Sequence, residues 1–359
     1  MEKALIAMSG GVDSSVAALL VKNMGYDCVG CTMKLYDNED AGISKGHTCC
    51  SLDDVEDARS VARSLGMPYY VFNFKDGFRE AVMSKFANCY LRGETPNPCI
   101  DCNRYMKFEK LFSRADILEC KYIVTGHYAR ITERDGEFFL KKAVDPAKDQ
   151  SYVLYSLTQE QLGRILFPLG SMTKAEARNI AEKNGFVNAR KHDSQDICFA
   201  PDGDYAAAVR RISGADDTPG DFVLCDGTAV GSHKGIVHYT LGQRRGLGVA
   251  AGAPLYVCAI HPSDNTVVLG SEEDLMSSET YVEDINWISG RAPQHPFECC
   301  VKIRYRQKEQ PAAVVPEEGT GRVLVKFSSP QRAVTPGQSA VFYDGDTVLG
   351  GGTICRAAD

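Results

Sequence analysis

The chain has 359 residues, of which 44% are hydrophobic and 24% are charged, and its formal net charge is −7 at pH 7. This length exceeds what one hydrophobic core usually supports and predicts two or three domains. The charge excludes a generally basic nucleic-acid-binding coat, although a local basic surface would suffice for RNA. The sequence has no membrane-length apolar stretch and no signal-peptide pattern, so we expect a cytoplasmic protein that does not span a membrane.

Strands and helices alternate in the first part of the sequence. A capping box at Ser51–Asp54 opens a helix that ends before Gly66, and Thr173–Glu176 opens another that ends at Gly185. The alternation predicts an α/β domain with a doubly wound parallel sheet and a ligand site at the carboxyl ends of its strands. The apolar runs that predict buried parallel strands are Lys3–Met8, Cys28–Met33, Tyr69–Phe74 and Tyr122–Thr125.

The second half of the sequence has a different pattern. The polar segment from Arg190 to Asp204 has no clear period and predicts a loop. Short strand-like runs follow, such as Leu255–Ile260 and Thr266–Gly270, and Asp344-Gly345 is a hairpin signal. We therefore predict three domains: an α/β catalytic domain over 1–204, a small β-rich connector over 205–280, and a C-terminal β-barrel over 281–359.

Residues 9–15, Ser-Gly-Gly-Val-Asp-Ser-Ser, stand between the first predicted strand and the first predicted helix. Two glycines let the backbone approach a ligand closely, and the first amides of the helix point outward. The hydroxyls of Ser9, Ser14 and Ser15 would add donors, so the turn predicts an anion site. No lysine follows the glycines, which excludes the Walker A pattern. The alternative is a glycine-rich turn that binds nothing.

A second motif, Asn97-Pro98-Cys99-Ile100-Asp101-Cys102, precedes a helical pattern that runs from about Asn103 to Leu118. A cysteine near a helix N-terminus, as predicted for Cys102, is favoured as the thiolate. Taken alone, a CxxC pair fits a redox dithiol, half a zinc site, iron–sulfur ligands or two packed cysteines. Cys198 lies in the polar segment, and most of the other cysteines are predicted to pack as small hydrophobic residues.

Residues 301–308 alternate between cationic and other residues. With the period of a strand, Lys302, Arg304, Arg306 and Lys308 would share one face. We expect this face to lie away from the core, because unpaired buried charges are costly. It predicts either an ordinary solvated face or a surface that contacts RNA phosphates, which Arg244-Arg245 would extend.

Six motifs, spread in order over nearly the whole chain, resemble those of the tRNA-specific 2-thiouridylases. They are SGGVDSS (9–15), TGHYAR (125–130), KDQSYVL (148–154), SQDICF (194–199), HYTLGQRRGLG (238–248) and TPGQSAVFY (335–343). The first resembles the PP-loop of ATP pyrophosphatases, which implies an adenine nucleotide α-hydrolase-like fold. The resemblance implies a tRNA-uridine 2-sulfurtransferase that replaces the 2-oxo group of the wobble uridine with sulfur. ATP and Mg²⁺ would be used, and AMP and diphosphate released.

The resemblance also implies roles for individual residues. ATP would be bound by Ala7, Met8, Ser9, Gly10, Gly11, Val12, Asp13, Ser14, Ser15, Met33 and Gly126, with Asp13 helping to place Mg²⁺. The target base would lie at Asn97, Pro98 and Cys99. The anticodon arm of tRNA would contact His127, Lys148, Asp149, Gln150, Tyr305, Arg306 and Gln338, and the cationic pattern adds Arg304. For His127 the alternative is a packed histidine, and for Lys148 a solvated lysine.

The sulfur chemistry is implied for three thiols. Cys198 would carry a persulfide, supplied by a cysteine desulfurase or a sulfur-relay protein, and Cys102 would be the second catalytic thiol. Cys99, the third candidate catalytic residue, stands where many family members have Asp, and a thiol serves less readily as general acid or base. Asp101 is close in sequence. In a different model, Cys99, Cys102 and Cys198 ligate three irons of a [4Fe–4S] cluster, whose fourth iron binds sulfide.

Other functions fit part of the sequence. Amidating ligases share the PP-loop but have no use for Cys102 and Cys198. Another tRNA thiolase would use both features on a different nucleotide. A sulfur carrier or a purely RNA-binding protein would not release diphosphate from ATP in the presence of tRNA.

Overall fold

The computed structural model describes residues 1–40, 42, 52–191 and 197–356. Ser51 of the first predicted capping box lies outside the described residues, as do residues 194–196 of the SQDICF motif. No helix within the described ranges has the length and hydropathy needed to cross a membrane.

A five-stranded parallel sheet organises the first part of the chain, in the order β3-β2-β1-β4-β7. Its strands are β1 (Lys3–Ala7), β2 (Asp27–Lys34), β3 (Tyr69–Asn73), β4 (Tyr122–Val124) and β7 (Ile165–Leu166). The four strands predicted from the sequence are confirmed, whereas the short β7 was not predicted. The prediction of burial is wrong for β3, where Tyr70 is 46% exposed and Val71 is 42% exposed, because β3 is an edge strand.

Helices pack on both faces of this sheet. Along β1, Leu5 faces one apolar cluster, while Ala4 and Ile6 face the other, which is the pattern of a doubly wound sheet. The α-helices are α1 (Val12–Asn23), α2 (Leu52–Ser64), α3 (Lys75–Phe78), α4 (Lys85–Leu91), α5 (Pro98–Asp101), α6 (Leu111–Ile117), α7 (Gln159–Leu162), α8 (Lys174–Lys183) and α9 (Tyr205–Ser213). Short 3₁₀ helices are Ser151–Leu154, Ile236–His238 and Glu273–Leu275.

The helix ends follow the sequence signals where these are described. Thr173 and Glu176 form the predicted capping box of α8. Gly25, Gly66 and Gly185 follow helices with φ of +91°, +62° and +66°, a conformation that glycine adopts without a steric penalty. Two π-helical segments join neighbouring α-helices without a break: Arg79–Ser84 between α3 and α4, and Cys102–Lys110 between α5 and α6.

A four-stranded sheet forms the middle of the chain, in the order β10-β11-β8-β9. Its strands are β8 (Gly220–Leu224), β9 (Ala229–His233), β10 (Tyr256–His261) and β11 (Thr266–Gly270). The short turn between the two predicted runs joins β10 to β11 as an antiparallel pair. Phe222, Val257, Val267 and Leu269 form its small core.

Six antiparallel strands of the last part close into a barrel, because β12 pairs with both β15 and β17. They are β12 (Met276–Trp287), β13 (Phe297–Lys302), β14 (Gln310–Pro316), β15 (Val323–Arg332), β16 (Ser339–Asp344) and β17 (Thr347–Cys355). The predicted hairpin at Asp344-Gly345 joins β16 to β17. An unpredicted hairpin, β5 (Ala129–Arg134) with β6 (Glu137–Lys142), extends the barrel sheet beside β17.

The carboxyl ends of β1, β2 and β4 form one edge of the parallel sheet, here called the carboxyl edge. Residues 9–15 follow β1, and Thr125-Gly126-His127 follow β4. Tyr36 follows β2, and its hydroxyl donates a 2.7 Å hydrogen bond to the carbonyl oxygen of Cys198. The predicted anion site and one predicted catalytic thiol therefore lie at the same edge of the sheet.

Candidate active site

The glycine turn after β1 requires glycine at its first glycine position. Gly10 has a φ of +75°, and a Cβ atom there would lie 2.4 Å from the backbone oxygen of Asp54. Gly11 precedes α1 in an extended conformation, and no side chain in the described part of the chain caps that helix. The first N–H groups of α1 are thus available to an anion.

Serine hydroxyls stabilise this turn from within. The hydroxyls of Ser14 and Ser15 each donate a 3.1 Å hydrogen bond to the carbonyl oxygen of Gly11. The sequence suggested that both point to a ligand, but they act on the backbone instead. Asn188, which the sequence did not indicate, donates from Nδ2 to the carbonyl oxygen of Gly10 and to Oγ of Ser15, both at 2.9 Å. The donors that remain are backbone amides and the hydroxyl of Ser9, which is exposed and lies 3.4 Å from Oγ of Ser14.

Asp13 in this turn is paired with a buried lysine. Nζ of Lys174 lies 2.7 and 2.8 Å from the two carboxylate oxygens of Asp13, and the hydroxyl of Tyr128 donates to Oδ1 at 2.8 Å. Lys174 is only 9% exposed. The sequence predicted the helix that Lys174 begins but not this pair. The carboxylate of Asp13 thus already has two donors in the protein, and its role in placing Mg²⁺ stays a prediction.

The pair between Asp13 and Lys174 leads to a testable prediction. We expect Asp13→Asn and Lys174→Met each to lower the free energy of unfolding, because each leaves a partly buried charge without its partner. The double variant should lose less than the sum, with a coupling of about 1–3 kcal/mol in denaturant unfolding. Lys183→Met, at the exposed far end of α8, is the control. Additive losses would contradict the pairing.

Two further predicted nucleotide residues lie at the carboxyl edge. Gly126 packs against the start of α1, since a Cβ atom there would lie 2.8 Å from the backbone nitrogen of Ser14. Met33, in β2, is half-buried, and Ala7 and Met8 bring β1 to the turn. Met8 is fixed there, because its N–H donates to the carbonyl oxygen of Cys31 at 2.7 Å. The structure thus gathers the residues predicted for the nucleotide.

The helix that carries the CxxC motif begins earlier than predicted. It starts at Pro98, and the side chain of Asn97 accepts a 3.2 Å hydrogen bond from the N–H of Cys99. Proline suits the first turn of a helix, where its missing N–H costs nothing. Cys99 is therefore in the first turn and exposed, whereas Cys102 is in the second turn and half-buried. The argument from free helix amides applies to Cys99 rather than to Cys102.

Asp101 does not supply the carboxylate that many family members have at the position of Cys99. Its side chain is buried and accepts a 2.7 Å hydrogen bond from Nζ of Lys85. Burial raises the pKa of Asp101, and the ammonium of Lys85 opposes that shift. The carboxylate thus has a partner inside the protein.

Cys198 is half-buried beside an aromatic cluster. The next residue, Phe199, packs edge-to-face on Phe78 and Phe86, with ring centroids 5.9 and 5.2 Å apart. None of the cysteines in the described ranges forms a disulfide. In the same ranges, which include all three candidate thiols, no three His, Cys, Asp or Glu side chains are grouped so as to hold a metal ion. This arrangement does not fit the three-cysteine cluster.

Comparisons with known families and proteins agree with this geometry. Residues 2–202 match the family described as the tRNA methyl transferase HUP domain. Residues 211–271 match the tRNA methyl transferase PRC-barrel domain, and residues 277–354 match the aminomethyltransferase beta-barrel domain. The three matches follow the parallel sheet, the middle sheet and the closed barrel.

Relatives named tRNA-specific 2-thiouridylase MnmA match over their full length. One from Thermoanaerobacter sp. (strain X514) is 50% identical, over 99% of this chain and 98% of its own. One from Acetivibrio thermocellus is 49% identical, over 98% of this chain and 99% of its own. One from Clostridioides difficile (strain 630) is 48% identical, over 98% of both chains. The chain belongs to the tRNA-specific 2-thiouridylase family.

In this 2-thiouridylase, the cationic segment 301–308 does not form the continuous strand face that its alternating sequence predicted. β13 ends at Lys302, and residues 304–307 form a turn, so the four cations do not share a strand face. Arg304 points inward: its Nη2 donates to the carbonyl oxygen of Ala333 at 2.9 Å and to Oγ1 of Thr335 at 2.8 Å. The prediction failed because Nη2 of this half-buried guanidinium finds oxygen acceptors that are distant in sequence, whereas its buried Nε has no partner among the described residues. Arg306 and Lys308 are exposed.

Several side chains predicted to contact tRNA also hold the 2-thiouridylase fold together. Oδ1 of Asp149 accepts from the N–H of Ala143 at 2.9 Å, and Oε1 of Gln150 accepts from the N–H of Tyr128 at 2.9 Å. Nε2 of Gln338 donates to the carbonyl oxygen of Thr95 at 2.7 Å. Lys148 is half-buried.

His127 and Tyr305 differ in exposure. His127 is buried against Phe108 and Phe167, so the structure has the packed histidine that the sequence offered as the alternative. Tyr305 is 37% exposed, and its ring packs against Tyr152 with centroids 5.9 Å apart. Tyr305 therefore offers an aromatic surface to a ligand, whereas His127 does not.

Proposed function

We propose that this chain catalyses the ATP-dependent 2-thiolation of the wobble uridine of tRNA. One observation supports this most strongly: the glycine turn and the chain at Cys198 lie at the same carboxyl edge, so an activated base and a sulfur nucleophile would meet there. Since ATP and tRNA are both cytoplasmic, we propose that compartment.

Base activation is proposed as the first step. O2 of the uridine attacks the α-phosphorus of ATP, a P–O bond forms, and the bond from the α-phosphorus to the bridging oxygen breaks. Diphosphate leaves with the electron pair, held by the open amides of α1. Phosphoryl transfer relies mainly on positioning and charge stabilisation, and these amides would contribute to both.

Sulfur transfer is proposed as the second step. The terminal sulfur of a Cys198 persulfide attacks C2 of the base, the C2–O bond breaks, and AMP leaves. The thiolate of Cys102 then attacks the Cys198 sulfur, which leaves one sulfur on C2 and a disulfide between the two cysteines. A dithiol reductant restores the thiols, and a cysteine desulfurase or a sulfur-relay protein supplies the next persulfide.

The target base is proposed to lie by Asn97, Pro98 and Cys99. Cys99 is the exposed group in the first turn of its helix. Burial is the largest cause that raises the pKa of Tyr305, and a thiolate at Cys99 is close enough to raise it further. We propose that the ring of Tyr305 stacks on a base of the anticodon arm. With Asp101 paired to Lys85, we assign no carboxylate general acid or base to this position.

The exposed cations of the barrel yield a prediction for tRNA binding. We expect Arg306→Gln together with Lys308→Gln to weaken binding and to lower the slope of log Kd against log salt by about 2, one for each lost phosphate contact. Arg304→Gln should instead lower the melting temperature, since its donors serve the barrel. Filter binding at several salt concentrations measures the slope. An unchanged slope would remove these cations from the interface.

Anaerobic reconstitution tests the proposed function. The protein is incubated with ATP, Mg²⁺, tRNA and a cysteine desulfurase with cysteine, and nucleosides are analysed by mass spectrometry. We expect 2-thiouridine at the wobble position and equal amounts of AMP and diphosphate, with or without added iron. A product thiolated at another nucleotide, or an aminated product with ammonia, would contradict the proposal.

A further inference from the structure

Lys107 lies in the π-helical segment that follows the CxxC motif. In a π-helix the backbone bonds join residues five apart, so Lys107 stands one turn after Cys102 on the same side of the helix. π-Helical segments are rare, and they occur frequently at functional sites. The segment thus aligns a cation with a predicted catalytic thiol.

The ammonium of Lys107 contacts His127, which lies at the carboxyl edge. Its Nζ lies 3.4 Å from Nε2 of His127, and Nδ1 of His127 lies 2.7 Å from Oγ1 of Thr125. Thr125 and His127 lie in the segment that directly follows β4. Gly126, between them, packs on the backbone of Asp13 and Ser14 at the start of α1. The lysine therefore reaches the edge that carries the glycine turn.

Among the residues that the structure describes, no carboxylate pairs with the ammonium of Lys107. Burial, and to a lesser extent the charge of Lys107, hold the pKa of His127 well below its usual value, so the imidazole is neutral. Within the described ranges, no carboxylate lies within 4.0 Å of Nζ of Lys107. Lys85 and Lys174, by contrast, each meet a carboxylate at 2.7 Å. A half-buried ammonium with only a neutral partner favours the arrival of an anion.

We propose that Lys107 binds an oxygen of the phosphate that is transferred to the base, and that it stabilises the charge which develops on that phosphate. This inference rests on the proposed function, because it needs ATP at the carboxyl edge. A phosphate of the tRNA backbone offers the same chemistry, and the nucleotide is favoured because Gly126 joins the position of Lys107 to the glycine turn.

Three variants test this role: Lys107→Met removes the charge, Lys107→Arg keeps it, and Lys110→Met is a matched control on the exposed side of the same segment. Release of labelled diphosphate from ATP, which reports the transfer of AMP to the base, is measured in a single turnover with saturating tRNA. We expect Lys107→Met to slow it by about 10²–10³-fold, Lys107→Arg to stay within about tenfold, and Lys110→Met to match the parent. If Lys107→Met lowers the melting temperature, Lys107→Gln takes its place, because glutamine keeps a donor for His127 without the charge.

The tRNA affinity at several salt concentrations distinguishes the two phosphates. We expect the salt slope of Lys107→Met to equal that of the parent. A normal rate at saturating tRNA with a slope lower by about 1 would assign Lys107 to the tRNA backbone and overturn the proposal. A normal rate with a normal slope would also overturn it. Failure of the parent protein to release diphosphate in the presence of tRNA would instead count against the proposed function.

Discussion

Cys198→Ser is expected to abolish the formation of 2-thiouridine, by at least about 10³-fold, and to leave the first transfer of AMP to tRNA intact. A serine hydroxyl cannot carry a persulfide, whereas the glycine turn and α1 do not depend on the thiol. Mass spectrometry of the nucleosides measures the first quantity, and release of labelled diphosphate in one turnover measures the second.

The matched control is Cys225→Ser, which changes an exposed cysteine of the middle sheet and should have no effect. Cys102→Ser should stop the reaction one step later, because the base would stay joined to Cys198 through a disulfide. That adduct should survive denaturation and be cleaved by a reductant. Normal thiolation by Cys198→Ser would refute the persulfide route.

Gly10→Ala is expected to eliminate binding of ATP and to destabilise the protein. A positive φ costs alanine about 1–2 kcal/mol. In addition, the new methyl group would meet the backbone oxygen of Asp54 at 2.4 Å, so the turn or α2 has to move. We expect a further loss of about 1–3 kcal/mol in the free energy of unfolding, as for other overpacked sites. Isothermal titration with ATP and denaturant unfolding measure both effects.

Gly25→Ala separates the two causes. Gly25 has a similar φ of +91°, but a Cβ atom there meets nothing within 4 Å. This variant should lose only the conformational part of the stability and should bind ATP like the parent protein. If the two variants behave alike, the close approach to Asp54 does not shape the site.

The arrangement of the parallel sheet followed from local patterns. Runs such as 4–8 are apolar throughout, and glycines such as Gly66 end helices in a conformation they adopt without steric cost. The β5–β6 hairpin was missed although its two strands are neighbours in sequence and are joined by Asp135-Gly136, the same kind of signal as Asp344-Gly345. The two residues of β7 are too few to give a pattern of their own.

The candidate site was predictable to a similar extent. The glycine turn predicted an anion site, and the family resemblance predicted the thiols; both stay predictions. The partners of Asp13 and Arg304 were not predictable, because Lys174 and Ala333 reach them only through the tertiary fold. The alternating cations suggested a strand, but period two does not show whether the chain turns. The π-helix that aligns Lys107 with Cys102 likewise has no sequence signal that we could identify.

In the proposed reaction, AMP is transferred to O2 of the base before sulfur displaces it. The most direct test uses tRNA with ¹⁸O at C2 of the wobble uridine, with ATP, Mg²⁺ and the sulfur source, and analyses AMP by mass spectrometry. The proposed reaction predicts one ¹⁸O atom in AMP for each 2-thiouridine formed. AMP without ¹⁸O, alongside normal 2-thiouridine formation, would contradict it.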